Sequence, residues 1–218
     1  GVAVEHAAYR PLRNASRLSA LLSALGMSIF LSNGMMLSQG VSDRAYPQVF
    51  GLEGLTILGA KITYGQVFII LLAMALMAGL QIFVHKTRLG KAMRATAQNR
   101  TIARMLGIDI DKTIRITFMI GPALGAAAGV MVGLYYGAVR FDMGFIFMIK
   151  AFAAAILGGI GSIPGAVLGG LIIGTIEVMW AAFLPSAWKD VTTFTVLIMV
   201  LYLKPSGLLG ADIAEKRV

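Results

Sequence analysis

The sequence predicts an all-α protein, a polytopic transmembrane helix bundle with a helical loop on the cytoplasmic side. Three observations predict it. Of 218 residues, 58% are hydrophobic and 13% are charged, against about 25% charged in soluble globular domains. Six apolar stretches approach or reach the roughly 20 residues that cross a hydrocarbon core. Between two of them lies a basic strip, His85 to Arg115, holding Lys86, Arg88, Lys91, Arg94, Arg100, Arg104, Lys112 and Arg115 against only Asp109 and Asp111. Short loops of that kind stay on the cytoplasmic side.

The spans follow in order. Leu18 to Leu37 is the first, diluted by Ser19, Ser23, Ser28, Ser32 and Asn33, polar groups that suit a bundle interior better than lipid. Arg10, Arg13 and Arg17 precede it, which places the start in the cytoplasm. From Gln39 to Gln66 the chain is polar and rich in glycine, with short runs at Leu55 to Leu58 and Ile62 to Tyr64. It reads as an external loop with a small hairpin.

Gln66 to Val84 is the clearest span, free of charge, and returns the chain to the cytoplasm. Ile114 to Gly137 leads out again, and Phe141 to Gly159 leads back. Lys150 interrupts that run, which also suits a re-entrant helix buried against protein, but a full crossing keeps the tail where its charges belong. The turn Gly161-Ser162-Ile163-Pro164-Gly165 reverses direction. Pro164 to Leu184 and Val191 to Leu203 complete six crossings within one domain, 1–218. The tail, with Lys204, Lys216 and Arg217, then lies in the cytoplasm.

Composition also excludes classes. There is no cysteine, so disulfides, thiol catalysis and thiolate-bound metals are ruled out. His6 and His85 have no second ligand at metal-binding spacing, so no metal site is expected. The net charge of +9 is concentrated beside apolar segments, where topology accounts for it without nucleic acid.

Two patterns inside the spans carry functional expectations. Gly121, Gly125, Gly129, Gly133 and Gly137 recur every four residues, on one helix face, and a ridge without side chains lets helices approach closely in lipid. Gly161, Gly165 and Gly169 repeat the spacing, with Gly170 and Gly174 following. The cluster Gly158, Gly159 and Gly161 is read as part of a translocation path, because glycine at a broken helix end frees backbone groups or acts as a hinge. Glu177 lies within a span, where charge is costly and points to function. It either meets a cationic or ammonium-bearing group on the path or pairs with Lys150.

The basic strip divides into two short helices. With Thr87 to Gln98 helical, Arg88, Lys91, Arg94 and Gln98 share one face, while Leu89, Met93 and Thr96 share another. Asn99 is placed to cap a second helix whose Ile102, Met105 and Leu106 group away from Arg100 and Arg104, and Gly107 to end it. Helices this short need a surface to dock on. Anionic lipid would require only charge and an apolar face. The cap, the small residues Ala92, Ala95, Ala97 and Ala103, and the closing Gly107 give a defined shape that suits docking to another protein.

These residues carry a resemblance. Arg88-Leu-Gly90-Lys91-Ala92-Met-Arg94-Ala95-Thr-Ala97-Gln-Asn99, with Ala103 and Gly107-Ile108, resembles the cytoplasmic loop of branched-chain amino acid permeases of ATP-binding cassette importers. The stretch from Lys150 through Gly158-Gly159-Ile160-Gly161 to Gly170, and Lys204-Pro-Ser-Gly-Leu-Leu-Gly, look like two further signatures of that family. The start Tyr9-Arg10-Pro11-Leu12-Arg13 is similar to the sequence after the family's first few helices. The resemblance covers nearly all of the chain.

The resemblance implies a permease subunit, N-terminally truncated here, in the cell inner membrane. It implies no catalytic residues and no cofactor of its own, with ATP and Mg on two partner ATPase subunits. A second permease subunit, identical or related, and an extracytoplasmic solute-binding protein complete the machine. Arg88, Gly90, Lys91, Arg94, Ala95, Asn99, Ala103 and Gly107 would then form the element coupled to the ATPase. Many importer permeases carry Glu-Ala-Ala in this loop where Thr101-Ile102-Ala103 stands here, so no salt bridge to that Glu carries over. Urea or short amides as solute, and a passive channel without an ATPase, are the alternatives.

Overall fold

The computed structural model describes residues 1–9, 11–12, 17–47, 49–51, 54–57, 60–183, 185, 188–204 and 206–210. The architecture is helical, and the chain divides into two compact units, Gly1–Met143 and Gly144–Val218. Each apolar run is largely helical, and side-chain caps set the starts of the helices at Tyr64 and Ile110.

The first unit opens with a helical turn, α1 (Val2–Val4), continued as a π-helical turn over Glu5–Tyr9. α2 (Arg17–Gln39) occupies the first apolar run, and α3 (Tyr64–Lys86) the second. Between them, β2 (Gly54–Ile57) and β3 (Ala60–Thr63) pair antiparallel, Gly54 opposite Thr63 and Ile57 opposite Ala60. This is the hairpin expected from the short Ile, Leu and Thr runs. β3 passes directly into α3, where the Gln66 side chain accepts from the Thr63 backbone N–H at 3.1 Å, one half of a capping box.

A second pairing leaves no pattern in the sequence. β1 (Arg44–Ala45) lies antiparallel to β4 (Ala138–Val139), with Arg44 opposite Val139. It ties the segment after α2 to the far end of α6 (Ile110–Tyr136), reinforced by Tyr46 N–H donating to Gly137 O at 2.9 Å. The opposite ends of α3 and α6 are joined by α4 (Arg88–Gln98) and α5 (Arg100–Met105).

The second unit contains α7 (Met143–Gly158), α8 (Ile163–Phe183) and α9 (Lys189–Leu203). Its core is Ala153, Ala154, Leu157 and Ile173, with Val196, Leu197, Val200 and Leu208 packed against them. Small residues on α7 let α8 approach closely, and α9 closes the other side with β-branched and leucine side chains.

Among the described residues, α3, α6 and α8 are both long and apolar enough to cross a membrane. Their surfaces stay largely apolar and exposed, as lipid-facing helices require. α7 has 16 residues, so it is about 24 Å long, short of a roughly 30 Å hydrocarbon core.

Candidate functional site

Among the described residues, two clusters, one in each unit, hold the side chains and glycines that the sequence singles out. In the first, three successive side-chain caps shape the connection from α3 to α6. Thr87 Oγ1 donates to Phe83 O at 2.6 Å and accepts from Gly90 N–H at 3.0 Å, so one hydroxyl ends α3 and starts α4. Asn99 Oδ1 accepts from the N–H groups of Thr101 at 2.9 Å and Ile102 at 3.1 Å. Asp109 Oδ1 accepts from Lys112 N–H at 2.9 Å. Each satisfies backbone donors that a helix start leaves open.

The stop after α5 is equally defined. Gly107 has φ +79°, its N–H donates to Arg104 O at 3.0 Å, and Ile108 N–H donates to Ala103 O at 3.1 Å. These are the paired bonds of a Schellman ending, which needs a left-handed residue at that position.

Gly90 is buried at the junction. A Cβ there would fall on the carbonyl oxygens of Phe83 and Val84, so its absence lets α4 fold back against the end of α3. Thr96 and Ala103 are also buried, at 7% and 1% exposure. Gly90 and Ala103 therefore set the shape of the element from within. Arg88, Lys91, Arg94 and Gln98 are exposed, and Ala95 is half-buried. On α5, Ile102, Met105 and Leu106 are 55%, 80% and 73% exposed, beside exposed Arg100 and Arg104. The element thus presents apolar side chains rimmed by guanidinium groups, a composition suited to an interface.

The glycine ladder on α6 has several surroundings. A Cβ at Gly121, Gly125 or Gly129 would meet nothing within 4 Å among the described residues, whereas at Gly133 it would meet the Tyr46 ring at 2.9 Å. Gly137 caps α6 with φ +67°. The ridge therefore presents an open face over three of its positions.

In the second unit, Gly158 and Gly159 form a backbone junction, while Gly161 lies in the turn beyond it with φ +97°, where a Cβ would meet nothing within 4 Å among the described residues. A Cβ on Gly158 would fall on Gly165 O, one on Gly165 on Gly158 O, and one on Gly169 on Ala154 O. The segment after α9 closes over this reversal. Leu208 N–H donates to Leu157 O and Leu209 N–H to Gly158 O, both at 2.9 Å. A Cβ on Gly207, whose φ is +77°, would sit 2.6 Å from Gly159 Cα. Two of the motifs that carry the family resemblance thus lock into each other. The same contacts put the end of α7, the start of α8 and the end of α9 together, so the three helices alternate in direction.

Further along these helices lies an ion pair. Lys150 Nζ of α7 and Glu177 Oε1 of α8 are 2.8 Å apart, their side chains 18% and 19% exposed. Thr193 of α9, 1% exposed, donates through Oγ1 to the same Glu177 oxygen at 3.0 Å. Of the two arrangements open to Glu177 from sequence, this structure holds the pairing. Thr193 has no sequence signal, since nothing in the sequence sets it apart from Thr192 and Thr195 on the same helix. One turn beyond Glu177, the Trp180 Nε1 donor is buried with no acceptor among the described residues.

Residues 11–201 match the family described as the branched-chain amino acid transport system, permease component. The chain belongs to that family. The permease is 46% identical over 99% of its length to the high-affinity branched-chain amino acid transport system permease protein LivH of Salmonella typhimurium, covering 71% of that protein. It is 45% identical to BraD of Pseudomonas aeruginosa, over 99% of the chain and 72% of the relative. It is 30% identical to a probable LivH of Methanocaldococcus jannaschii, over 96% and 70%. The autoinducer 2 import system permease protein LsrC of Klebsiella pneumoniae is 32% identical over 55% of the permease and 37% of its own length. No solved structure matches. Membership makes this chain a membrane-embedded component of a transport system rather than an enzyme.

Proposed function

We propose that the chain is a permease subunit of an ATP-driven importer that moves branched-chain amino acids into the cytoplasm by alternating access. The observation that carries this is the 46% identity over 99% of the chain to permeases of high-affinity branched-chain amino acid systems. ATP and Mg act on separate ATPase subunits, a second permease subunit completes the pathway, and an external solute-binding protein delivers the solute. The protein sits in the inner membrane as one transmembrane domain, with the basic loop and the C-terminal segment in the cytoplasm, as the positive-inside bias directs.

In this reading α4 and α5 are the coupling element. The exposed Ile102, Met105 and Leu106 enter a cleft of the ATPase, and Arg88, Lys91, Arg94, Arg100 and Arg104 contact its rim. Gly90, Ala95, Asn99, Ala103 and Gly107 keep the element in one shape. Closure of the ATPases on ATP moves the docked elements, and the capped turns pass that motion to α3 and α6 as a rigid displacement. The open glycine face of Gly121, Gly125 and Gly129 receives a neighbouring helix of the assembly. Gly158, Gly159 and Gly161 fix the reversal beside the path, and Glu177 lies on it.

Uptake of labelled leucine by cells expressing the full-length protein with its partner subunits tests the reading. Isoleucine and valine are expected to compete, and urea is not. Leucine uptake indifferent to both branched residues would refute the amino acid assignment. The same cells carrying Met105→Glu are expected to lose uptake and ATPase co-purification while keeping the protein in the membrane. Retention of both would refute the coupling role of α5.

A further inference from the structure

We propose that Lys150, Glu177 and Thr193 form a transient subsite that takes the ammonium and carboxylate of a zwitterionic amino acid as it crosses. The inference rests on the transport reading above.

The argument starts from cost. Two charged side chains and a hydroxyl from three apolar helices meet within 3.0 Å, and groups of this kind inside a span are expensive unless paired. Helix association does not require them. α7 and α8 already touch backbone to backbone at Gly158 and Gly165 and at Ala154 and Gly169, and α8 and α9 share the apolar core around Ile173. Apolar residues of similar volume in place of a buried ion pair are often neutral or stabilising. What charges can do here, and methyl groups cannot, is exchange partners.

A zwitterionic amino acid is the chemical counterpart of this pair. It brings one cation and one anion on a single carbon and no net charge, so inserting it converts one ion pair into two without leaving a charge unmatched in the bilayer. Its ammonium would replace Lys150 on Glu177, with Thr193 holding the carboxylate orientation. Its carboxylate would take the Lys150 ammonium, and the buried Trp180 indole N–H nearby is a further donor that no described group uses. The side chains of Lys150 and Glu177 retain 18% and 19% exposure, so the pair is not sealed within the three helices. Binding must open an existing 2.8 Å contact, which keeps affinity low, as conduction through a stepwise path requires.

The test uses the full assembly in proteoliposomes with its binding protein and ATP. In Lys150→Met/Glu177→Leu, membrane content, heat stability and ATPase retention are expected to match wild type while leucine uptake falls about tenfold or more. Wild-type uptake in that variant would overturn the subsite, since a structural pair tolerates apolar replacement. Should the variant fail to assemble, the exchanged pair Lys150→Glu/Glu177→Lys decides. It keeps the bridge but reverses its direction, so lost uptake in an assembled protein supports the subsite and normal uptake overturns it. A wild-type assembly that moves no leucine refutes the transport reading, and the subsite falls with it.

Discussion

Leu209 N–H donates to Gly158 O at 2.9 Å, so a residue beyond the last helix completes the hydrogen bonding at the end of α7. Carbonyls at a helix end have no partner within the helix, and inside a membrane protein an unmatched one is costly. Here the strap supplies the partners for Leu157 and Gly158, which lets α7 stop short and turn into α8.

Gly207→Ala is therefore expected to destabilise the protein. The left-handed backbone alone costs about 1–3 kcal/mol for a residue with a Cβ, and the added methyl would press on Gly159. Thermal unfolding in detergent measures it, with Gly26→Ala on α2, where a Cβ meets nothing within 4 Å among the described residues, as a control expected to gain up to about 1 kcal/mol. A Gly207→Ala protein as stable as wild type would show that the strap is not clamped.

Gly90→Ala is expected to push α4 off the end of α3, because the obstacles are the carbonyl oxygens of Phe83 and Val84 and not movable side-chain ends. Overpacking of this kind costs about 1–3 kcal/mol. Faster hydrogen exchange across Arg88–Gln98 than in wild type is the expected readout, and unchanged exchange would contradict the close approach.

Asn99→Ala removes the acceptor for Thr101 and Ile102 N–H, at about 1 kcal/mol for a lost cap. In the six-residue α5 this cap holds the first turn, while Ala103 and the Gly107 ending hold the last, so the amides at its start are expected to exchange faster while those of α6 do not change. Asn99→Asp, which keeps the acceptor, should restore protection.

Topology is tested in the cysteine-free background. Gln98→Cys on α4 and Thr56→Cys on the hairpin are both at exposed positions. A membrane-impermeant thiol reagent added to intact cells is expected to label the hairpin position and not the α4 position. The reverse pattern would invert the orientation. Glu53, in the external loop read from Gln39 to Gln66, lies outside the described residues.

The sequence made the long helices legible because apolar residues run without interruption for about the length of a span. It was less informative at their ends. Lys112 and Arg115 read as loop by composition, yet α6 begins at Ile110 because Asp109 caps it, and long basic side chains reach water from within a helix. The stop of α5 at Gly107 and the cap at Asn99 were readable, since both depend on residue type at a fixed offset. Thr87 as a double-acting cap was not, because threonine fits many places. The junction of Gly158 and Gly159 with Gly207 was hidden for a different reason. Glycines leave no side-chain pattern, and only backbone conformation and proximity reveal that the two motifs meet.

That junction also sets a schedule. The reversal after α7 is complete only when Gly207, Leu208 and Leu209 reach it, and those residues are made some fifty positions after Gly158. At about 5–20 residues per second of synthesis, the end of α7 waits about 2.5 to 10 s with Leu157 O and Gly158 O unclaimed. During that interval the turn from α7 into α8 lacks two of its hydrogen bonds, and the arrival of Leu208 and Leu209 completes it.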